Sequence, residues 1–120
     1  MSEITTAKLQ FTSALELAGL RVLEYVPERI TPPIVIVNAS SPYLTAADFG
    51  EYNLNLELVI VAATATNKKA TEQLDQAIEN VLNALPSFAQ FQDVGQPYNM
   101  QTNNAEYLAV NINTRLQITI

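Results

Sequence analysis

The 120 residues amount to one ordinary domain, and 48% of them are hydrophobic, which excludes intrinsic disorder and supports a self-standing core. Six basic against twelve acidic side chains leave a net charge of −6, and no basic run exceeds two residues, which excludes direct binding to a phosphate backbone. Cysteine and histidine are both missing, which removes disulfides, thiol nucleophiles, Ser–His and Cys–His pairs and the commonest transition-metal ligand.

Only 15% of residues are charged, against about 25% in a typical soluble domain. Asn, Gln and Thr make up the difference. Protein interfaces lose Lys, Glu and Asp, so this composition points toward a surface partly covered by other subunits. No basic segment followed by an apolar run opens the chain, so a signal peptide is not expected. The longest apolar stretch, Leu58 to Ala63, is far too short to cross a bilayer. The expectation is a soluble protein that folds in cytoplasm.

In chain order, Phe11, Ala14, Leu15 and Ala18 recur at helical spacing and predict an amphipathic helix over 6–18. Thr5 or Thr6 can cap its start, and Gly19 stands where a left-handed C-terminal cap belongs. Leu20 to Tyr25 reads as a short strand stopped by Pro27 and Pro32-Pro33. The β-branched run Ile34 to Val37 predicts a strand covered on both faces, and Ala39 to Ala47 reads as a loop. From Gly50 to Ala63, Tyr52, Leu54, Leu56, Leu58 and Ile60 alternate with Glu51, Asn53, Asn55, Glu57 and Val59. The period of two assigns the first set to the core and the second to the opposite sheet face. Val59 and Val61 break the polar pattern, which predicts that the far end of that opposite face is covered as well.

Residues 64–67, Thr-Ala-Thr-Asn, supply cap chemistry for a second helix over 68–85. Its apolar stripe of Ala70, Leu74, Ala77, Ile78, Val81, Leu82 and Leu85 ends at Pro86. Gln90 to Val94 reads as a short strand and Gln96 to Asn104 as a polar loop. Leu108, Val110, Ile112, Leu116, Ile118 and Ile120 then alternate with Ala109, Asn111, Asn113, Arg115, Gln117 and Thr119 in a long closing strand. The predicted fold is a single α+β domain in the order α-β-β-β-α-β-β. Its sheet is mostly antiparallel, of four to five strands, with both helices on one face.

The residues offer little chemistry. Ser40 and Ser41 lack an activating base, and Gly19, Gly50 and Gly95 are too dispersed to cradle a phosphate. Glu72, Asp75 and Glu79 share a helix face, but a single row of carboxylates is better read as a solvated face than as a hard-cation site. Glu51 and Glu57 stand roughly 20 Å apart along a strand, too far for paired acid–base work. No catalytic, cofactor or metal residue is therefore assigned, and the protein is not expected to be an enzyme.

Surface carries the remaining signal. Asn53, Asn55 and Glu57 on one strand and Asn111, Asn113, Arg115 and Gln117 on another make an amide-rich sheet face. It reads either as a wetted face or as one that packs on a neighbouring subunit or lines a channel. Lysine, common on free sheet edges, is absent from every predicted strand. Tyr43 and Leu44 in one loop, and Tyr98 and Met100 in another, are further contact candidates, or else pack back onto the domain.

The chain resembles the tail terminator (tail completion) proteins of long-tailed bacteriophages, especially those infecting actinobacteria. The resemblance runs through Ala18-Gly19-Leu20-Arg21-Val22, Pro32-Pro33-Ile34-Val35-Ile36-Val37 and Ser41-Pro42-Tyr43 to Phe49-Gly50-Glu51-Tyr52. It continues through Ala65-Thr66-Asn67 with the following helix, Val94-Gly95-Gln96-Pro97-Tyr98 and Tyr107-Leu108-Ala109-Val110, so it spans nearly the whole length. These are fold and turn signatures rather than a chemical fingerprint.

The resemblance implies a homohexameric ring on the end of the tail tube, which stops polymerisation of the tube protein and offers its other surface to a head-completion or connector protein. DNA passes through the hole without specific binding, which suits an acidic ring. No cofactor and no membrane are implied. The protein would belong to the virion neck, and to the bacterial host cytoplasm during assembly. The alternatives are another neck component, such as a connector or stopper, and a small ferredoxin-like metabolite-binding module. The latter requires polar residues aimed into the core, and none stands in the inward sets above.

Overall fold

Two long stretches of alternating sequence pair to form the centre of the molecule. The computed structural model describes residues 2–64, 67–102 and 105–120. The elements are α1 (Glu3–Leu17), β1 (Val22–Leu23), β2 (Ile34–Ala46), β3 (Glu51–Ala63), α2 (Lys68–Ala84), β4 (Ala89–Val94), β5 (Tyr98–Thr102) and β6 (Ala105–Thr119). β3 and β6 run antiparallel in a constant register from Glu51 opposite Thr119 to Val61 opposite Ala109. Even-numbered residues of both strands therefore share one face and odd-numbered residues the other.

The even-numbered face carries the main core. Leu54, Leu56, Leu58, Ile60, Val110, Ile112 and Leu116 are buried there against Phe11 and Leu15 of α1 and Ala70, Leu74 and Val81 of α2. Both helices thus lie on one side of the sheet, as the periodicity predicts. Tyr52 belongs to the same set by phase but is 39% exposed, because it stands at the end of the sheet near the β2–β3 turn.

The odd-numbered face divides in two. At one end Val59, Val61, Tyr107 and Ala109 pack with Ile34 and Ile36 into a second cluster covered by Ile30 from the β1–β2 connection. The Tyr107 hydroxyl donates to the Ile30 carbonyl at 3.4 Å. This is the cover that Val59 and Val61 predict. The other end of that face carries the amides.

The sheet is mixed but mostly antiparallel, in the order β1-β2-β3-β6-β4, with β5 also on β6. It has six strands rather than four or five, and three details differ from the sequence reading. β1 is only two residues, paired parallel to β2. β2 does not stop at Val37 but runs on through the expected loop. It survives Pro42 by a bulge: Ala39 faces Leu56 and Leu44 faces Leu54, so residues 40–43 stand opposite Asn55 alone.

Part of the expected loop over 96–104 is strand β5, paired along Ala105–Ala109 of β6. Asn103 and Asn104 lie outside the described residues. β4 pairs with the same edge of β6 further along, at Ile112–Leu116. The two short strands therefore lie end to end, joined through Gly95, whose N–H donates to Asn111 O at 2.8 Å, and Pro97, which has no N–H to give.

Caps set the helix ends. α1 is capped by Ser2, whose hydroxyl accepts from Thr5 N–H at 3.0 Å, and not by Thr5 or Thr6 as expected. Its stripe starts earlier as a result, with Ile4 and Ala7 against the core, and Ala18 is exposed. At the other end Gly19, at φ +90°, donates to Glu16 O and Leu20 donates to Leu15 O, the paired bonds of a Schellman motif. α2 is capped by Asn67, whose side-chain oxygen accepts from Ala70 N–H at 2.8 Å. Of the expected capping stretch, Ala65 and Thr66 lie outside the described residues.

Replacing Asn67 by alanine is expected to cost about 1 kcal/mol, a fall of roughly 3–6 °C in melting temperature for a domain of this size. Aspartate or serine there should restore most of it. An unchanged melting curve for the alanine variant would rule out this cap.

Candidate functional site

The candidate contact residues do not form one surface. Tyr43 and Leu44 fall on the helix side, where both pack against the main core. Tyr43 also accepts a hydrogen bond from Lys8 Nζ of α1 at 3.3 Å, with the ammonium 5.7 Å from its ring centroid. Their position in the β2 bulge turns them back onto the domain, the second of the two readings their sequence allows.

The remaining candidates share the odd-numbered face. Register places Asn55 opposite Arg115, Asn53 opposite Gln117, Glu57 opposite Asn113 and Val59 opposite Asn111. Most of these polar groups are engaged within the chain. Asn113 Nδ2 donates to Asp93 Oδ1 of β4 at 2.6 Å, and Gln117 Nε2 donates to Glu51 Oε2. Tyr98 Oη donates to Asn111 Oδ1 at 2.7 Å. Met100, next along β5 on the same face, packs against the second cluster beside Tyr107. Cross-strand side-chain pairs of this kind hold neighbouring strands in register.

Asn55 was expected on an open face and is instead only 7% exposed. Its Nδ2 donates to Pro42 O at 3.0 Å and to Thr45 Oγ1 at 3.3 Å, closing the β2 bulge from the neighbouring strand. Its Oδ1 and the Nε of the facing Arg115 are buried without a hydrogen-bond partner among the described residues.

Thr114 also corrects the sequence reading. It is fully buried on the helix face, a polar residue inside an inward set that was expected to hold none. Its hydroxyl donates to Leu56 O at 3.1 Å, so its polarity is used up by the sheet itself. The carboxylates Glu72, Asp75 and Glu79 are exposed, and no group of three or more ligand-type side chains among the described residues could hold a metal ion. No helix among them is long and apolar enough to cross a membrane.

Two features were not read from the sequence. One is the tip of the β2–β3 hairpin. Asp48 to Glu51 form a turn closed by Glu51 N–H to Asp48 O at 2.9 Å, with Gly50 third at φ +76°, as a type II turn requires. Phe49, second in that turn, is fully exposed. Tyr52, Phe88 and Ile120 are exposed at the same end of the sheet, where Tyr52 faces Ile118 and Phe88 lines a hollow with Leu116 and Ile118. Clustered exposed apolar groups mark contact sites more often than scattered ones do. A phenylalanine inside an otherwise polar Asp-Phe-Gly-Glu turn was the available signal.

The other feature is a cleft of about 320 Å³ between α2, the start of β2 and the turn after α1. Val35, Ile60, Ala62 and Val81 form its apolar lining, and Arg21, Gln76 and Asn80 stand at its polar margin. It lies at the opposite end of β3 from the hairpin tip.

Replacing Asn55 by alanine removes both bulge bonds and should destabilise the isolated protein by about 1–3 kcal/mol in urea unfolding. Unchanged stability would return Asn55 to the list of pure contact residues. Burial first, then the charge of Glu57, raises the Tyr98 hydroxyl above its ordinary 10.0. The fold favours the neutral phenol, so this contribution to stability is whole below pH ~10 and declines as pH rises past it. Tyr98→Phe should therefore show a shallower alkaline loss of stability than the parent between pH ~9 and ~11, and parallel losses would refute the assignment.

No model of a known protein family matches this chain and no curated protein matches it, so a reading of its function starts from these surfaces.

Proposed function

We propose that this chain is a structural assembly protein of a long-tailed bacteriophage, a tail terminator that closes as a ring on the finished tube, halts its growth and offers a face to the head connector. The assignment to tails rests on the resemblance of the turn and strand segments. The observation that carries a protein-contact role is the apolar end of the molecule, with Phe49 fully exposed at the hairpin tip. A 48 Å body that is only 25–26 Å across places that tip far from the opposite end, a shape suited to bridging neighbours. The low charge of the chain fits a surface shared with other subunits.

Within this reading the contacts move away from Tyr43 and Leu44, which serve the core, toward the hairpin end and the exposed part of Tyr98. The odd-numbered sheet face is less available than its composition implies, since most of its amides are bonded to their own neighbours.

Two measurements test the proposal. Light scattering across ionic strengths should find a discrete species near six times 13.2 kDa. Added to polymerising tail tube protein, the chain should stop elongation at substoichiometric ratios to tube subunits. Unaltered elongation together with binding to a head connector would transfer the protein to another neck position. Unaltered elongation without such binding would defeat the reading.

A further inference from the structure

We propose that Phe49 at the hairpin tip of one copy inserts into the cleft between α2 and β2 of a second copy, with Asp48 and Glu51 set against Arg21 and Lys69 of the receiving subunit. This deepens the ring reading above and rests on it. Three observations carry the contact.

The first is fit. Phe49 is fully exposed at the end of a hairpin, and the cleft offers about 320 Å³ over an apolar floor of Val35, Ile60, Ala62 and Val81. That is the lower end of the size range for ligand pockets, room for one aromatic ring rather than a large ligand. Aromatic anchors seated in pockets are the usual centres of protein interfaces.

The second is charge. Phe49 lies between Asp48 and Glu51, separated from the latter only by Gly50. The cleft and the shallower hollow beside it, which share Pro33, Ala62 and Gln73, are lined by Arg21 and Lys69 and by no acidic residue. In a chain with twice as many acids as bases, a cleft without a single carboxylate is a selective surface. The acids of α2, Glu72, Asp75 and Glu79, line neither hollow. An acidic tip and a basic mouth steer each other and disfavour other pairings.

The third is position. The tip adjoins Glu51, and the cleft floor includes Ile60 and Ala62 of the same strand, roughly 30 Å further along. A chain cannot fill its own cleft. Tip and cleft are different surfaces, so the contact is head-to-tail, which closes into a ring when the rotation per subunit allows and otherwise runs on as a filament.

The absence of native cysteine makes a direct test simple. A mixture of Phe49→Cys and Gln76→Cys chains should cross-link under mild oxidation or with a short thiol-reactive reagent, and each variant alone should do so far less. Phe49→Ala should weaken association about thirtyfold or more, as loss of an interface anchor does. Its melting temperature should match the parent, because the side chain touches nothing in its own fold. Asp48→Lys and Arg21→Glu should each weaken association, and mixing or combining them should recover it. A discrete ring formed equally well by Phe49→Ala overturns the contact and leaves the ring reading in place. A parent chain that remains monomeric at millimolar concentration, with no mixed cross-link, overturns both.

Discussion

The register between β3 and β6 is the constraint on which everything else depends. These two strands supply most of the buried aliphatic side chains, and their pairing holds in phase from Glu51 and Thr119 to Val61 and Ala109. A slip of β6 by one residue would turn Val110, Ile112 and Leu116 away from the helices and drive Asn111, Asn113 and Arg115 into the core. Burying those amides and the guanidinium without partners would cost several kcal/mol, more than a domain of this size can lose. The cross-strand bonds on the odd-numbered face add a second restraint in the same direction. They join β6 to β3 at Gln117 and Glu51, to β4 at Asn113 and Asp93, and to the start of β5 at Asn111 and Tyr98.

This gives the amide-rich face an architectural meaning. Asparagine and glutamine on a sheet can look like a sticky interface, since they both give and accept hydrogen bonds. Here they are turned sideways, toward neighbouring strands, and their capacity for an external partner is correspondingly lower. Asn55 goes furthest. It is buried opposite the β2 bulge and holds Pro42 and Thr45 in place across the strand gap. Exposed apolar side chains instead gather at the hairpin end of the sheet, at Phe49, Tyr52, Phe88 and Ile120.

The helices and the two long strands were legible in the sequence because each repeats one period for many residues. α2 matches its expected span to within one residue, and the alternation in β3 and β6 separates the two faces correctly down to the covered end at Val59 and Val61. What escaped were places where a local signal contradicts the larger structure. Ser40-Ser41-Pro42 has the composition of a loop, yet β2 absorbs it as a bulge because β3 continues alongside. Tyr98 to Thr102 is too polar and too short to announce a strand, and its identity comes from the free edge of β6. Thr114 was hidden for the opposite reason, since a polar residue in an apolar phase reads as an interruption until its bond to Leu56 O is seen. Of the contact surface, the expected loops mostly fold back, while Phe49 required knowing that the hairpin tip projects beyond any packing partner.

The end-to-end placement of β4 and β5 has a dynamic consequence. One long strand is edged by two short ones, with a hinge of Gly95, Gln96 and Pro97 between them, and most side chains of both short strands are exposed. Elements with so little buried area open at lower free energy than the central ladder. The edge can thus fray in two separate pieces, and amide protons of β4 and β5 exchange with solvent independently while those of the β3–β6 ladder stay protected until the whole domain unfolds.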